Sequence, residues 1–493
     1  MLKTFRTYFK NYELFLYFYT RSNYSITFMS LTPNENNIPL TKFESMLKTN
    51  SVYFFDSVEF EEIIHYYIDS GKNALAKKAI KLGLKQHPNS IILKLLQAEL
   101  LIFDDEFDAA GILLREIQAI EPTNDEVYVQ QASIFSKRDN HKKAIDLLTI
   151  ALAYTDEKAD VLAMIGMEYL FLDDFDEARL NFAKCLEVDF EDYSSLYNVV
   201  YCFDMESKHQ EAVDYLNKYI DKDPYSEVAW HQLGRQYFIL EQYEEAARAF
   251  DYAIVIDEYF VGAYLEKAKT LEKLNQFEDA IENYKATLEL DDATAFVFLR
   301  IGECYEKLEM YSLATQFYKK AVHEDPLLDK AWIVLTNLVL KQKKYNKALF
   351  YVNKALEIDE NNTLYWRKYA EINLKLNYFE EAIEAFQRCI TLQDYDIEIW
   401  VGLADVLCFL GDYEDALTNL LKAKTYFTDF AEIDYRLSGL YFKFKNFEKG
   451  AFYLKQALVI DFEYQTIFKE LFIEVYQMES VQDIINEFKK TSS

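Results

Sequence analysis

Chain breakers are scarce: 11 Gly and 6 Pro in 493 residues. A sheet-rich fold with many tight turns needs more of both, so the shortage points to helices joined by short turns. Cysteine is scarce too. Cys185, Cys202, Cys304, Cys389 and Cys408 form no CxxC pair. An odd number of widely spaced thiols fits free cysteines in a reducing, cytoplasmic setting. No apolar run approaches the roughly 18 residues that cross a bilayer, so no membrane span is expected. Positive charge is in deficit, with 53 Lys and Arg against 83 Asp and Glu, a net charge of −30. Such a surface repels phosphate backbones and anionic lipid headgroups, which argues against nucleic-acid and membrane partners. There is no GxSxG, no HExxH and no Gly-rich phosphate loop, and no two of the 6 histidines have helical metal-ligand spacing. No enzymatic activity, cofactor or metal is therefore expected.

What the chain does have is apolar content of 51%, too high for a disordered protein, and a period. A frame that starts at Ser57 and advances by 34 residues passes through Ile91, Asp125, Ala159, Tyr193, Glu227, Val261, Ala295, Asp329, Thr363, Ile397 and Ala431 to Gln465 with no insertion. Column twenty holds Ala eleven times in succession, from Ala76 to Ala416, and then Gly450. Trp230, Trp332, Trp366 and Trp400 all fall in column four, and Pro88, Pro122, Pro224 and Pro326 share column thirty-two. Within residues 227–260, Trp230, Leu233, Gly234 and Tyr237 are spaced i, i+3, i+4, i+7, one stripe of a helix. Ala246, Phe250 and Ala253 form a second stripe. The polar junction EQYEE between them has room only for an antiparallel helix hairpin. Gly234 and Ala246 let the two helices approach, and Trp230, Tyr237, Tyr243 and Phe250 fill the space around that contact.

These residues resemble the tetratricopeptide repeat, a 34-residue helix–turn–helix with the signature W-x2-L-G-x2-Y, then A-x3-F, then P. Residues 230–253 carry every part except the final Pro, where Glu258 stands. Residues 298–326 follow it through Phe298, Ile301, Gly302, Tyr305, Ala314, Tyr318, Ala321 and Pro326. The resemblance covers residues 57–464 as twelve units plus a partial thirteenth. It implies an all-α fold, an α-α superhelical solenoid of tandem 34-residue hairpins in which neighbours bury one another's apolar faces. Val200 and Tyr219 in the 193–226 unit, and Ile117 in the 91–124 unit, replace small residues, so looser or shifted packing is expected there.

The corresponding division is a poorly ordered extension over 1–31, an N-terminal capping segment over 32–56, twelve repeats over 57–464, and a C-terminal capping repeat with helices over 465–493. The longest apolar run of the extension, Leu14–Tyr19, is too short for a signal-peptide core. Met29 is an alternative start, and a membrane-peripheral role is the alternative reading of the extension. Thr41 with Glu44 suggests a small leading helix, Asp56 with Glu59 a capped first repeat helix, and Ser480 with Asp483 the start of a short final helix.

In the resembling family the inner groove is lined by the first-helix stripe that faces away from its hairpin partner. In the 227–260 unit that stripe is Val228, His231, Arg235 and Phe238, flanked by Tyr197, Tyr201 and Asp204 before it and Leu265, Lys269 and Glu272 after it. These columns vary from unit to unit, as a surface reading an extended partner would; a solvated face with no partner is the alternative. The candidate partner-binding residues are Tyr197, Tyr201, His231, Arg235, Phe238 and Lys269, a cationic pair among aromatics in an acidic chain. Arg235 suits bidentate contact with a carboxylate. Alternatively, Lys269 pairs with Glu303 and Arg235 is merely solvated. The Lys/Asn carboxylate clamp of one subfamily is not expected, because Asn337 is accompanied by Ile333 and Glu398 stands where a Lys is needed. Asp104/Asp105, Asp173/Asp174 and Asp291/Asp292 fall at turns, where Asp serves the backbone. His141 and His209 sit in a junction column and read as structural, and Cys185 and Cys389 read as buried stand-ins for Ala. The expected function is a non-catalytic scaffold or assembly factor that binds other proteins or extended peptide segments. A regulatory or adaptor subunit of an enzyme complex, or a self-associating structural protein, is the alternative, and a homo-oligomer is compatible with the sequence.

Replacing Ala314 by Leu is predicted to destabilise the protein by about 1–3 kcal/mol, since it overpacks the closest contact of a hairpin. Thermal unfolding measures this; an unchanged midpoint would mean that column twenty does not face the partner helix.

Overall fold

The computed structural model describes residues 38–49, 53–290 and 294–492. The N-terminal extension and the Asp291/Asp292 pair lie outside the described residues. Among these residues there are 28 helices and no strand. The chain divides after Asp257 into two compact units. In the first, hairpins open at Ser57, Ile91, Asp125, Lys158, Tyr193 and Glu227; in the second, at Val261, Ala295, Asp329, Thr363, Ile397 and Ala431. Within each unit the hairpins stack in chain order, so the fold is the tandem-hairpin solenoid class.

Each hairpin turns in the same way. Column fifteen adopts the left-handed conformation throughout, at Gly71, Asp105, Asp139, Asp173, Ser207 and Glu241 in the first unit. Asn275, Glu309, Lys343, Asn377, Gly411 and Lys445 do so in the second. The next residue donates back across the turn, as in Gln242 N to Tyr237 O at 2.9 Å and Met310 N to Tyr305 O at 2.9 Å. This closure satisfies a helix-terminal carbonyl that would otherwise lack a donor. Asp105 and Asp173 are therefore explained by the turn, since Asp tolerates this conformation better than most side chains.

The alanines of column twenty are fully buried from Ala76 to Ala416. The tighter contact lies beside them. A Cβ added to Gly234 would sit 2.6 Å from Phe250 Cε1, and one added to Gly166 would sit 2.8 Å from Phe182 Cε1. Thus a ring in column twenty-four of the second helix occupies the space left by a small residue in column eight of the first. Where that ring is tyrosine, its hydroxyl finds an acid in column twelve: Tyr284 to Glu272 Oε1 at 2.5 Å, and Tyr318 to Glu306 Oε2 at 2.9 Å. Where it is phenylalanine, as at Phe182 and Phe250, column twelve holds Leu170 and Phe238. Burying a hydroxyl requires a partner, so the two columns are coupled.

In the 193–226 unit the volumes are exchanged. Val200 and Leu216, both buried, take the places of the glycine and the ring. The second helix, His209–Ile220, has 12 residues against 14 for Tyr243–Ile256. Tyr219 stacks on Phe190 at 4.2 Å and donates to the Phe190 carbonyl at 2.6 Å. The packing is shifted there but filled, and Ile117 is likewise fully buried.

The leading helix, Ile38–Thr49, begins ahead of Thr41, with Pro39 in its first turn where no amide donor is needed. Its Phe43 ring lies 5.8 Å from Phe55 and 6.1 Å from Phe60 and covers the first hairpin. Asp56 and Glu59 form the capping box, with bonds of 2.8 and 2.9 Å. After Ile460 the first helix is broken at Phe472 into Gln465–Leu471 and Ile473–Tyr476. The Phe472 ring fills the notch at Gly439, where a Cβ would approach Phe472 Cδ2 to 2.5 Å. The last helix, Glu479–Ser492, starts one residue before Ser480 and, at 14 residues, is longer than the short helix expected.

Gly234→Ala should destabilise the protein by about 1–3 kcal/mol through collision with Phe250. Gly111→Ala is the control: a Cβ there meets only Arg115 Nη1 at 3.8 Å, so helix propensity should stabilise it by up to about 1 kcal/mol. Urea unfolding of the two variants would expose a misassigned contact if both moved in the same direction.

Candidate partner-binding face

Columns eight and nine are neighbours in sequence but about 100° apart around a helix. Column eight is buried in every hairpin, from Ile64 to Gly234 in the first unit and from Ala268 to Ser438 in the second. Column nine is accessible: His65, Glu99, Ser133, Met167 and Tyr201 are half-buried and Arg235 is exposed. In the second unit Lys269, Glu303, Asn337 and Asp405 are half-buried, Glu371 is exposed, and only Gly439 is buried.

Side chains bind successive first helices to each other within each unit. In the first unit, Gln130 Nε2 donates to Leu95 O at 3.3 Å, Lys137 Nζ to Ile102 O at 3.1 Å, and Gln236 Nε2 to Asp204 Oδ1 at 2.9 Å. In the second, Arg300 grips both oxygens of Glu272, Lys341 pairs with Glu306 at 2.6 Å, and Arg436 holds Asp405 through two bonds of 2.7 Å. Two of these arginines follow their acids by 28 and 31 residues, a spacing just short of the repeat that the sequence reading missed. The histidines reach the following hairpin: His141 Nδ1 lies 2.8 Å from Glu168 Oε2, and His209 Nδ1 lies 3.1 Å from Gln236 Oε1. Burial pushes the Glu168 carboxyl above its ordinary value, opposed by hydrogen bonds from Ser136 and His141.

Of the candidate residues, Tyr197 is 40% exposed, and Tyr201 is half-buried with its phenol pushed upward by burial. His231 is only 9% exposed and its ring lies 5.7 Å from Phe250, so it belongs to the wall more than to the face. Gln232 joins it to Arg235: its amide nitrogen is 3.4 Å from His231 Nδ1, and its oxygen accepts from Arg235 Nη1 at 3.3 Å. Arg235 forms no ion pair among the described residues. Phe238 is half-buried, edge-on to Tyr243 at 5.4 Å. Lys269 belongs to the second unit, where it pairs with Glu266 at 2.8 Å and lies 5.8 Å from the Phe296 ring centre. The alternative Lys269–Glu303 pair does not form. Glu303 instead takes Arg300 at 2.6 Å, one turn away on its own helix.

Burial pushes the thiols of Cys185, Cys202 and Cys304 up to about 12 and those of Cys389 and Cys408 up to about 11. Thiols so placed stay protonated near neutral pH and are poor nucleophiles. The tryptophans of column four separate into two groups. Trp230, Trp332 and Trp366 donate to the column-thirty-two carbonyls of Pro224, Pro326 and Glu360 at 2.9, 3.0 and 2.8 Å. Trp400 is more deeply buried, at 3% exposure, and its Nε1 meets no acceptor among the described residues.

Hairpins on a 34-residue frame, with the same left-handed turn and the same buried small-residue columns, define a helical-repeat protein. Family models for the tetratricopeptide repeat match residues 159–192 and 265–328, and a model of "Anaphase-promoting complex, cyclosome, subunit 3" matches 341–423. The chain is a tetratricopeptide-repeat protein. No curated protein matches it. Similar solved structures include MamA, 23% identical over 33% of this chain and 95% of that one, with a TM-score of 0.30. The APC/C hetero-tetramer Cut9–Hcn1 is 15% identical over 82% and 92%, with a TM-score of 0.33. The C-terminal part of a TPR repeat-containing protein from Cytophaga hutchinsonii is 15% identical over 48% and 97%, with a TM-score of 0.40. No helix among the described residues is long and apolar enough to cross a membrane.

The ion pairs of this face differ in weight. The Arg436 side chain is 5% exposed, whereas that of Lys341 is 61% exposed. Asp405→Ala strands a buried guanidinium and is predicted to cost about 3 kcal/mol. Lys341→Ala should cost no more than about 1 kcal/mol. Chemical denaturation of the two variants tests the ordering, and equal losses would refute it.

Proposed function

We propose that the protein is a non-catalytic interaction scaffold or assembly factor that holds extended segments of partner proteins along its first-helix faces. The observation that carries this reading is the contrast between columns eight and nine. One is buried and, apart from Ile64 and Val200, small; the other, one residue further on, is accessible except at Gly439 and varies in chemistry from hairpin to hairpin. Several weak contacts along such a face add up to useful affinity when one segment spans them. Tyr197, Tyr201, Arg235 and Phe238 are assigned to the face of the first unit, with His231 as a support behind Arg235, and Lys269 to the face of the second. The match of residues 341–423 to a subunit of a large assembly favours a role inside a multi-protein complex. The dispersed thiols favour a reducing, cytoplasmic setting.

Crosslinking and pull-down from the native cell, read by mass spectrometry, test the proposal. The double variant Arg235→Glu, Lys269→Glu is expected to lose partners that the parent protein captures, with circular dichroism and melting unchanged. An identical partner set for both proteins would remove these two residues from the binding face.

A further inference from the structure

We propose that the turn of the hairpin that opens at Asp329 docks a short acidic segment of a partner protein, with Lys343, Lys344 and Lys347 as its cations. Residues 330–356 hold Lys330, Lys341, Lys343, Lys344, Lys347 and Lys354 and no acid, in a chain of net charge −30. The acids of this hairpin, Asp329, Glu357, Asp359 and Glu360, lie where its first helix begins and where its second helix ends. Four of the lysines gather at the opposite end, around the turn between Asp329–Lys341 and Tyr345–Ile358. Helices of 13 and 14 residues are about 20 Å long, so the two ends are further apart than the screening length at physiological salt. The turn therefore keeps its positive field.

Stability of the hairpin does not account for these lysines. Lys343 takes the left-handed position of the turn, at φ +56°, where most hairpins place Gly, Asp or Asn. That conformation costs a lysine more than it costs those residues. Lys344 stands at the N-cap of the second helix and makes no capping bond, and Lys347 lies in the first turn. The helix dipole disfavours cations there. The hairpins that open at Glu227 and Thr363 place acids in the same turn, Glu244 with Glu245 and Glu380 with Glu381. Local costs gathered in one turn point to a use outside the hairpin.

The three cations are accessible. Lys343, Lys344 and Lys347 are all exposed. Lys344 donates to the Gln342 amide oxygen at 2.6 Å, a neutral acceptor. Neither Lys343 nor Lys347 forms an ion pair among the described residues. Lys341, beside them, pairs with Glu306 at 2.6 Å and compensates that acid. The neighbouring turns limit the length of the ligand. Glu309 is exposed in the preceding turn and Glu380 in the following one. Packed helices lie about 8–10 Å apart, so a long polyanion, such as a nucleic-acid backbone or a lipid surface, would meet these acids as well as the lysines. A run of a few Asp or Glu residues fits between them. An ammonium is a compact charge with no fixed plane, so it takes carboxylates in the varied orientations that an extended segment presents.

The test uses the full chain and a hexaglutamate amide that carries an uncharged fluorophore, read by fluorescence anisotropy at low salt. This probe should bind saturably, and hexaglutamine amide with the same label should not. Its affinity should fall as salt is added. The triple variant Lys343→Gln, Lys344→Gln, Lys347→Gln should weaken binding about tenfold or more, with circular dichroism unchanged. The control is Lys78→Gln, Lys81→Gln, Lys85→Gln, which removes the same charge from exposed lysines of the helix Asn73–Gln86. It should bind as the parent protein does. Absence of saturable binding, an unchanged affinity in the turn variant, an equal loss in both triple variants, or tighter binding of an oligothymidylate of equal charge would each overturn the proposal. Neither Arg235 nor Lys269 is altered and the readout is not partner capture, so this turn stands or falls apart from the column-nine face.

Discussion

In the hairpins that open at Lys158, Glu227 and Ala295, the contact between a ring in column twenty-four and a glycine in column eight sets how closely the two helices approach. Gly302 with Tyr318, Gly234 with Phe250 and Gly166 with Phe182 show it, and the buried alanines of column twenty make room alongside. Interiors are packed near crystal density, so such a contact tolerates exchange of volume but not its addition. Val200 with Leu216 is an exchange of that kind, with the lost ring volume returned at Tyr219. The left-handed residue in column fifteen serves the same contact, because it reverses the chain within a few residues and delivers the second helix to the first.

The accessible face follows from that packing. Column eight turned toward the partner helix leaves column nine at the edge of the wall, where no core constraint acts on its chemistry. The cations on this face are then divided by whether an acid of the neighbouring first helix lies within reach. Arg300, Lys341 and Arg436 are occupied in tying one first helix to the next. Arg235 is left with a single neutral acceptor, the Gln232 amide. Its exposed guanidinium, free to meet a carboxylate, is what gives Arg235 its place in the proposed binding face.

Hydrogen bonding changes where the period is broken. Three tryptophans satisfy their indole donors on the carbonyl of the preceding turn, and the fourth does not because its turn is built differently. Tyr395, Lys422 and Tyr426 line a cavity together with this tryptophan.

Much of the fold was legible in one dimension because each repeat buries the same columns against its immediate neighbours. Periodicity in Ala, Gly and Trp therefore carried the helix hairpins, their turns and the burial of Cys185 and Cys389. The candidate face was legible only as a variable stripe. Its members' surroundings were not: His231 is enclosed by Phe250, and Glu303 prefers Arg300 to Lys269. Helix register decides such partnerships, and spacings of 28 and 31 residues carry no signature in a 34-residue frame. The unmet donor of Trp400 lay further beyond reach, since column four reads Trp there as in its neighbours. Side-chain identity repeats with the sequence, but hydrogen-bond satisfaction depends on where a turn places one carbonyl oxygen, and only the tertiary structure decides that.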